Sequence, residues 1–400
     1  MAYVPKQEIL DKYADLLVNF ALNTYKGVKK GEVVFLQVPE CAKPMLVSLR
    51  RSVLKAGAHP IISYYPDDIS KEFFELANEE QLKFFPDKFL KGKAEQADHA
   101  LNIIATTNPQ ELKGIPPNKI MTKAKSMKPY KEWLEEKENK GRFTWTLALY
   151  GTEAMAKEAN LSLEEYWDEI IKACYLDEED PVAKWKEIVN EIERVKDSLN
   201  ALGIEKLHVE SEDTDLWVKI GDNREWMGGS GRNIPSFEVF ISPDWRGTEG
   251  HIQFNQPVYI YDVLVKDVYL EFKDGVVVKA TASEGEEVLK EMIKAEGADK
   301  VGEYSLTDGR LSRITRFMAE TLFDENVGGE QGNTHLALGS AYKDSYPGDP
   351  STISKEQWDE MGYNDSAIHT DIVSTMKRKV TAILKSGKEK VIYEDGKFKI

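Results

Sequence analysis

"GEVVFLQV", residues 31–38, is a compact apolar run that opens on a glycine, and its setting decides the fold. By itself such a run fits a buried strand or a buried helix segment. Its flanks choose between them. Upstream, Ile9, Leu10, Tyr13, Leu16, Leu17 and Phe20 recur at helical spacing. Downstream, Leu46, Leu49, Val53 and Leu54 do the same before a second apolar run, "HPIISYY" (59–65). Asp67 or Asp68 caps a further helix carrying Phe73, Phe74 and Leu76. "HALNIIA" (99–105) and "FTWTLALYG" (143–151) continue the strand series. Strands that alternate with helices in this way predict a doubly wound, mostly parallel sheet, hence an α/β N-terminal domain.

A long helix closes this half. Its apolar stripe runs through Trp185, Ile188, Val189, Ile192, Val195, Leu199 and Leu202, and Gly203 stands where a helix ends. Beyond it the texture changes. "KLHVESEDTDLWVKIGD" reads as a hairpin, and 257–282 as antiparallel strands turning at "KDG". The expected division is therefore an α/β domain over 1–204 and an α+β domain over 205–400. A chain of 400 residues is too long for one ordinary core, which agrees with two domains.

Composition narrows the function. The net charge of −16 opposes a nucleic-acid surface and an anionic membrane. No apolar run approaches the ~20 residues of a membrane span, and "MAYVPKQEIL" lacks the pattern of a signal peptide. Cys41 and Cys174 are the only cysteines, so neither a disulfide framework nor a Cys-x-x-Cys zinc site is present. A cytoplasmic protein is expected.

Chemistry concentrates in the second half. "SAIHTDIV" (366–373) places His369 and Asp371 two apart in an apolar run, hence on one side of a strand. "WRGTEGHI" (245–252) sets Glu249 before a glycine that permits close backbone approach. "VGEYSL" (301–306) offers Glu303, and "TLFDENVGGEQGNTHLALGSAY" (321–342) carries Asp324, Glu325, His335 and Tyr342. Each alone reads more simply as a turn residue or a solvated strand face. Together, Glu249, Glu303, Glu325 and Asp371 supply carboxylates, and His335 and His369 supply imidazoles. Oxygen and nitrogen donors without thiolate suit zinc, manganese or cobalt, and magnesium less well. Four carboxylates in one pocket demand counter-charge, which two divalent cations sharing an activated water would provide. "GGEQG" lacks the Lys-Ser/Thr ending of a phosphate loop. "MGGSGRN" (227–233) lies between hairpin-like strands rather than before a helix, against a dinucleotide site.

"GGSGRNIPSFEVFISPDWRGTEG", "TLFDEN", "THLALGSAY" and "HTD" resemble the thermophilic-type metalloaminopeptidases, the family of aminopeptidases T and S. "NPQELKGIPP" and "FTWTLALYGTEAMA" extend the likeness into the first half. The resemblance implies a cytoplasmic homodimer with two divalent metals per subunit, which removes N-terminal residues from short peptides with broad preference. It assigns Glu249, Glu303, Glu325, His335, His369 and Asp371 to the metals and Tyr342 to the developing oxyanion. Glu303 or Glu249 would relay the proton. One departure is visible: the loop "VGGEQGNT" lengthens the spacing from "DEN" to the histidine. Two other readings stand beside this one. A dinuclear phosphohydrolase would enlist Arg246 or Arg232, and a non-catalytic peptide-binding protein would use the α/β half.

Overall fold

A computed structural model describes residues 3–261 and 263–400. Contacts divide the chain into two compact units. One comprises Met1–Lys186 with Ser230–Ser236, the other Glu187–Gly229 with Phe237–Ile400. The division falls inside the helix Pro181–Ala201. A seven-residue segment beyond the expected boundary thus belongs to the first unit.

In the first unit, strands β1 (Val33–Pro39), β2 (His59–Tyr65), β3 (His99–Ile104) and β4 (Thr144–Leu149) form a parallel sheet in the order β2-β1-β3-β4. The two-residue strand Asn233–Ile234 adds to the β4 edge, also in parallel. Strands joined through helices cannot pair antiparallel by a tight turn, so the alternation seen in the sequence carries directly into this sheet. Val34, Leu36 and Val38 of β1 are fully buried, as expected for the central run. The outer strand β2 differs. Ile61, Ile62, Tyr64 and Tyr65 are all exposed, from both faces of the strand.

The second unit is rich in antiparallel sheet. Ile204–Ser211 and Thr214–Lys219 form the expected hairpin within an eight-stranded sheet, which also holds Glu249–Gln253, Tyr269–Lys273 and Val276–Thr281. A separate five-stranded sheet contains β5 (Glu238–Ile241), β6 (Val301–Thr307), β7 (Asn333–Gly339) and β8 (His369–Ser374), in the order β8-β7-β6-β5, with Met227–Gly228 beyond β5. Tyr304, Leu306, Leu336, Leu338 and Ile372 pack one face of it and are completely buried. Side chains of this size contribute about 1.5–3 kcal/mol each when removed from water, which fixes which way every strand faces. The polar face follows by alternation.

Candidate metal centre

The register of the four strands assembles the site. Thr307 lies opposite Glu238, Ser305 opposite both Phe240 and His335, and Ala337 opposite both Glu303 and Asp371. His369 lies opposite Gly339. Stepping by two along each strand keeps to one face, so Glu238, Glu303, His335, His369 and Asp371 share it. The pair Ser305 and Ala337 between them is small, which leaves room above the sheet. Gly302, just before Glu303, sits where a side-chain carbon would come within 2.3 Å of the Ser340 carbonyl. Only glycine admits that approach.

His335 Nε2 lies 3.0 Å from Glu303 and 3.2 Å from Glu238. Its Nδ1 donates to the Glu325 carbonyl at 3.2 Å. His369 Nε2 is 3.5 Å from Asp371 and 3.8 Å from Glu303, and its Nδ1 donates to the Ser340 carbonyl at 2.8 Å. Backbone carbonyls therefore hold both rings so that their Nε2 atoms face the carboxylates. The Tyr342 ring lies 4.8 Å from that of His369 and 6.0 Å from that of Phe240.

Charge at this face is unbalanced. Burial pushes the Glu303 carboxyl up to about 7; Glu238 and Asp371 add to the rise and the His335 bond opposes it. Burial, then the Asp371 and Glu238 charges, push Glu325 up strongly. Burial works against charge on His335, but its bonds to Glu238 and Glu303 reverse this and raise it well above the ordinary imidazole value. His369 rises to about 9, because Asp371 and Glu303 outweigh its burial. Asp371 moves down: the His369 and His335 charges overcome the cost of its burial. Two like charges ~4 Å apart repel by about 4 kcal/mol at an effective dielectric of ~20. Imidazolium ions meet part of this demand.

A divalent cation fits what remains. Glu238, Glu303 and His335 each offer a ligand atom, all within 4.8 Å of one another and all buried. Asp371 Oδ1 is buried and makes no hydrogen bond of good geometry among the described residues; its cationic neighbours are His369 Nε2 at 3.5 Å and His335 Nε2 at 4.0 Å. A buried carboxylate oxygen left in that state is costly unless something cationic meets it.

Glu249, expected among the ligands, is not among the five residues that share this sheet face. It lies on the eight-stranded sheet opposite Trp217, and its carboxylate accepts the Asp274 N–H at 2.6 Å. The neighbouring glycine serves strand pairing instead. Gly250 has φ +99°, and a side-chain carbon there would meet the Asp215 carbonyl at 2.1 Å. Glu238 stands in the cluster where Glu249 was expected. Its signal was present in "SFEVFI": a lone carboxylate in a buried apolar strand needs a partner, as His369 and Asp371 do. Glu325 is buried beside the cluster at the end of the short helix Thr321–Asp324. Of the arginines considered for phosphate, Arg246 pairs with Asp244 and Arg232 with Glu138. No helix among the described residues is long and apolar enough to cross a membrane.

An α/β unit and a sheet-rich unit bearing a buried carboxylate–imidazole cluster have the build of a metalloenzyme. The chain belongs to the thermophilic metalloprotease (M29) family, whose profile matches residues 6–398. It is 28% identical to aminopeptidase 2 of Geobacillus stearothermophilus, over 97% of both chains. It is 29% identical to aminopeptidase T of Thermus thermophilus, over 90% of this chain and 91% of that one. The solved structure of wild-type AmpT from Thermus thermophilus shares the fold, with a TM-score of 0.84 over 98% of this chain and 99% of that one, at 24% identity.

Proposed function

We propose that this chain is a metal-dependent aminopeptidase that removes N-terminal residues from short peptides. The observation that carries the reading is the convergence of Glu238, Glu303, His335, His369 and Asp371 on one sheet face, three of them with ligand atoms within 4.8 Å of one another. The aminopeptidase names of its relatives supply the reaction class. These five residues are the proposed ligands, with Glu325, buried beside them and sensing their charges, as the sixth. Their oxygen and nitrogen donors favour zinc, cobalt or manganese, and the carboxylate excess favours two ions rather than one.

Divalent cations bound here would polarise the scissile carbonyl and acidify a water. The remaining work belongs to side chains. The peptide's free α-amine, unlike an internal peptide nitrogen, has a lone pair to offer at such a site, which would select for a free N-terminus. Glu303, within the cluster, is the residue this reading assigns to accept the proton of the attacking water and pass it to the leaving nitrogen. Tyr342, whose ring lies beside that of His369, is assigned by the same reading to donate its hydroxyl proton in a hydrogen bond to the developing oxyanion. The test is release of leucine from a leucyl-arylamide. Dialysis against a chelator should abolish it, and Zn²⁺, Co²⁺ or Mn²⁺ should restore it. Release that persists in the metal-free protein overturns the proposal.

A homodimer belongs to the same reading. The exposed apolar residues of β2 form the edge of a sheet, an arrangement that calls for a cover. Lys55 precedes this strand and Asp67 and Asp68 follow it. A second copy running antiparallel would set basic end against acidic end. A cytoplasmic location accords with the two free thiols, Cys41 and Cys174.

A further inference from the structure

The tripeptide Asp324-Glu325-Asn326 uses its three residues in three different ways. The Asp324 carboxylate accepts the backbone N–H groups of Met318 at 2.7 Å and Glu320 at 2.9 Å, which fixes the entry to the turn. The Glu325 carbonyl accepts from His335 Nδ1. Asn326 is completely buried and reaches a different strand. Its Oδ1 accepts the Phe237 N–H at 2.6 Å, one residue before Glu238. Its Nδ2 donates to the Leu322 carbonyl at 3.2 Å and, at 3.4 Å, to Glu325 Oε1.

We propose that Asn326 is a positioning residue for the metal centre, one amide that sets the Glu238 and His335 ligand segments at a fixed separation. The geometry explains why an amide is required. Phe237 needs an acceptor, whereas Leu322 and Glu325 need donors, and a carboxamide presents one acceptor and two N–H donors on separate atoms, where a hydroxyl has a single donor on the same atom as its acceptor. Asn326 also lies next to the residue whose carbonyl orients His335. A shift of the turn therefore moves Glu238 relative to the imidazole it faces at 3.2 Å. Groups that orient metal ligands typically change affinity by about 10–100-fold when removed. The inference rests on the metal reading above, since it concerns how that site is held.

The test uses the full chain. Co²⁺ affinity is measured by titration calorimetry in the wild type, in Asn326→Ala and in the milder Asn326→Ser. Asn200→Ala is the control. Asn200 also bridges two segments of the second unit, through the Trp226 backbone N–H and carbonyl, without touching the cluster. Asn326→Ala should bind Co²⁺ at least about tenfold more weakly and Asn200→Ala should match the wild type. Hydrogen exchange on the metal-free proteins should quicken around Phe237 in Asn326→Ala and stay unchanged in the Ile204–Lys219 hairpin. If Asn326→Ala does not fold, Asn326→Ser carries the same comparison. Unchanged affinity in the folded Asn326 variant, or equal loss in Asn200→Ala, overturns this inference alone. A wild type that binds neither Co²⁺ nor Zn²⁺ overturns the metal reading and this inference with it.

Discussion

His335 Nε2 lies 3.0 Å from Glu303 Oε1, on the neighbouring strand of the same sheet face. In the metal-free protein this contact is a charge-assisted hydrogen bond, and a proton occupies the position a cation would take. Metal and proton therefore compete. Glu303 rises to about 7 and His369 to about 9, so both shed protons on the way up from neutral pH. Metal affinity is expected to climb between about pH 7 and pH 9, with proton release on binding. Titrations in buffers of different ionisation enthalpy read this directly. Affinity independent of pH across that window would show that neither group is a ligand.

The two glutamates that the sequence confuses should separate cleanly under mutation. Glu238→Gln removes a charged donor from the cluster and should lower kcat/KM by at least about 100-fold, with loss of bound metal. Glu249→Gln alters only a strand-edge bond to Asp274 and should keep both within about threefold of the wild type. Metal content and arylamide kinetics on the two purified variants decide it. The reverse ranking would return Glu249 to the site.

Asp244 provides a pH-dependent contribution to stability away from the cluster. Burial alone would raise its pKa, but bonds from Arg246 at 2.7 Å and Lys219 at 3.0 Å hold it below the usual carboxylate range. Its folded value is thus lower than its unfolded value of about 3.9. The stabilisation is fully present above that unfolded value and disappears as pH falls through the folded one. Asp244→Asn should cost about 1–3 kcal/mol at pH 7, and the difference from the wild type should shrink below about pH 4. Urea unfolding at pH 7 and pH 3 measures both. A difference that stays constant over this range would contradict the ion-pair account.

Neither thiol should be reactive. Burial is the main cause that pushes Cys41 up to about 12, with Asp67 adding to it, and burial does the same to Cys174. Only the thiolate is nucleophilic. Iodoacetamide at pH 7.5 is expected to leave arylamide hydrolysis unchanged over an hour. Rapid inactivation with stoichiometric labelling would disprove it.

The β2 edge should govern association. Ile62 is 43% exposed and Tyr64 43% exposed. A charge at either position opposes a second copy at the edge without disturbing buried contacts. Ile62→Asp is expected to shift the sedimentation profile from dimer to monomer and to keep the melting temperature within a few degrees. An unaltered profile would place the contact elsewhere.

The parallel sheet was legible because each of its runs is both apolar and bounded by helical spacing; β2 is recovered residue for residue at His59–Tyr65. Strand alternation puts His369 and Asp371 on one face, but only the donors of the other segments give that face a use. Glu303 and His335 came from residue type and motif, and their opposed geometry needed the register of β6 against β7, which no local pattern encodes. Glu238 carries no glycine or histidine beside it to mark it, whereas Glu249 is followed by Gly250. A glycine reports a backbone constraint, and here that constraint was the crowding of Gly250 against Asp215 in a ladder. The bracing by Asn326 was invisible for a related reason: its partner Phe237 lies 89 residues away.

The proposed donors come from strands that begin at Glu238 and end with the one starting at His369. A ribosome must therefore synthesise past Asp371 before the pocket exists. Synthesis itself then acts as a safety catch, since a nascent chain that stops short of Asp371 lacks part of the donor set.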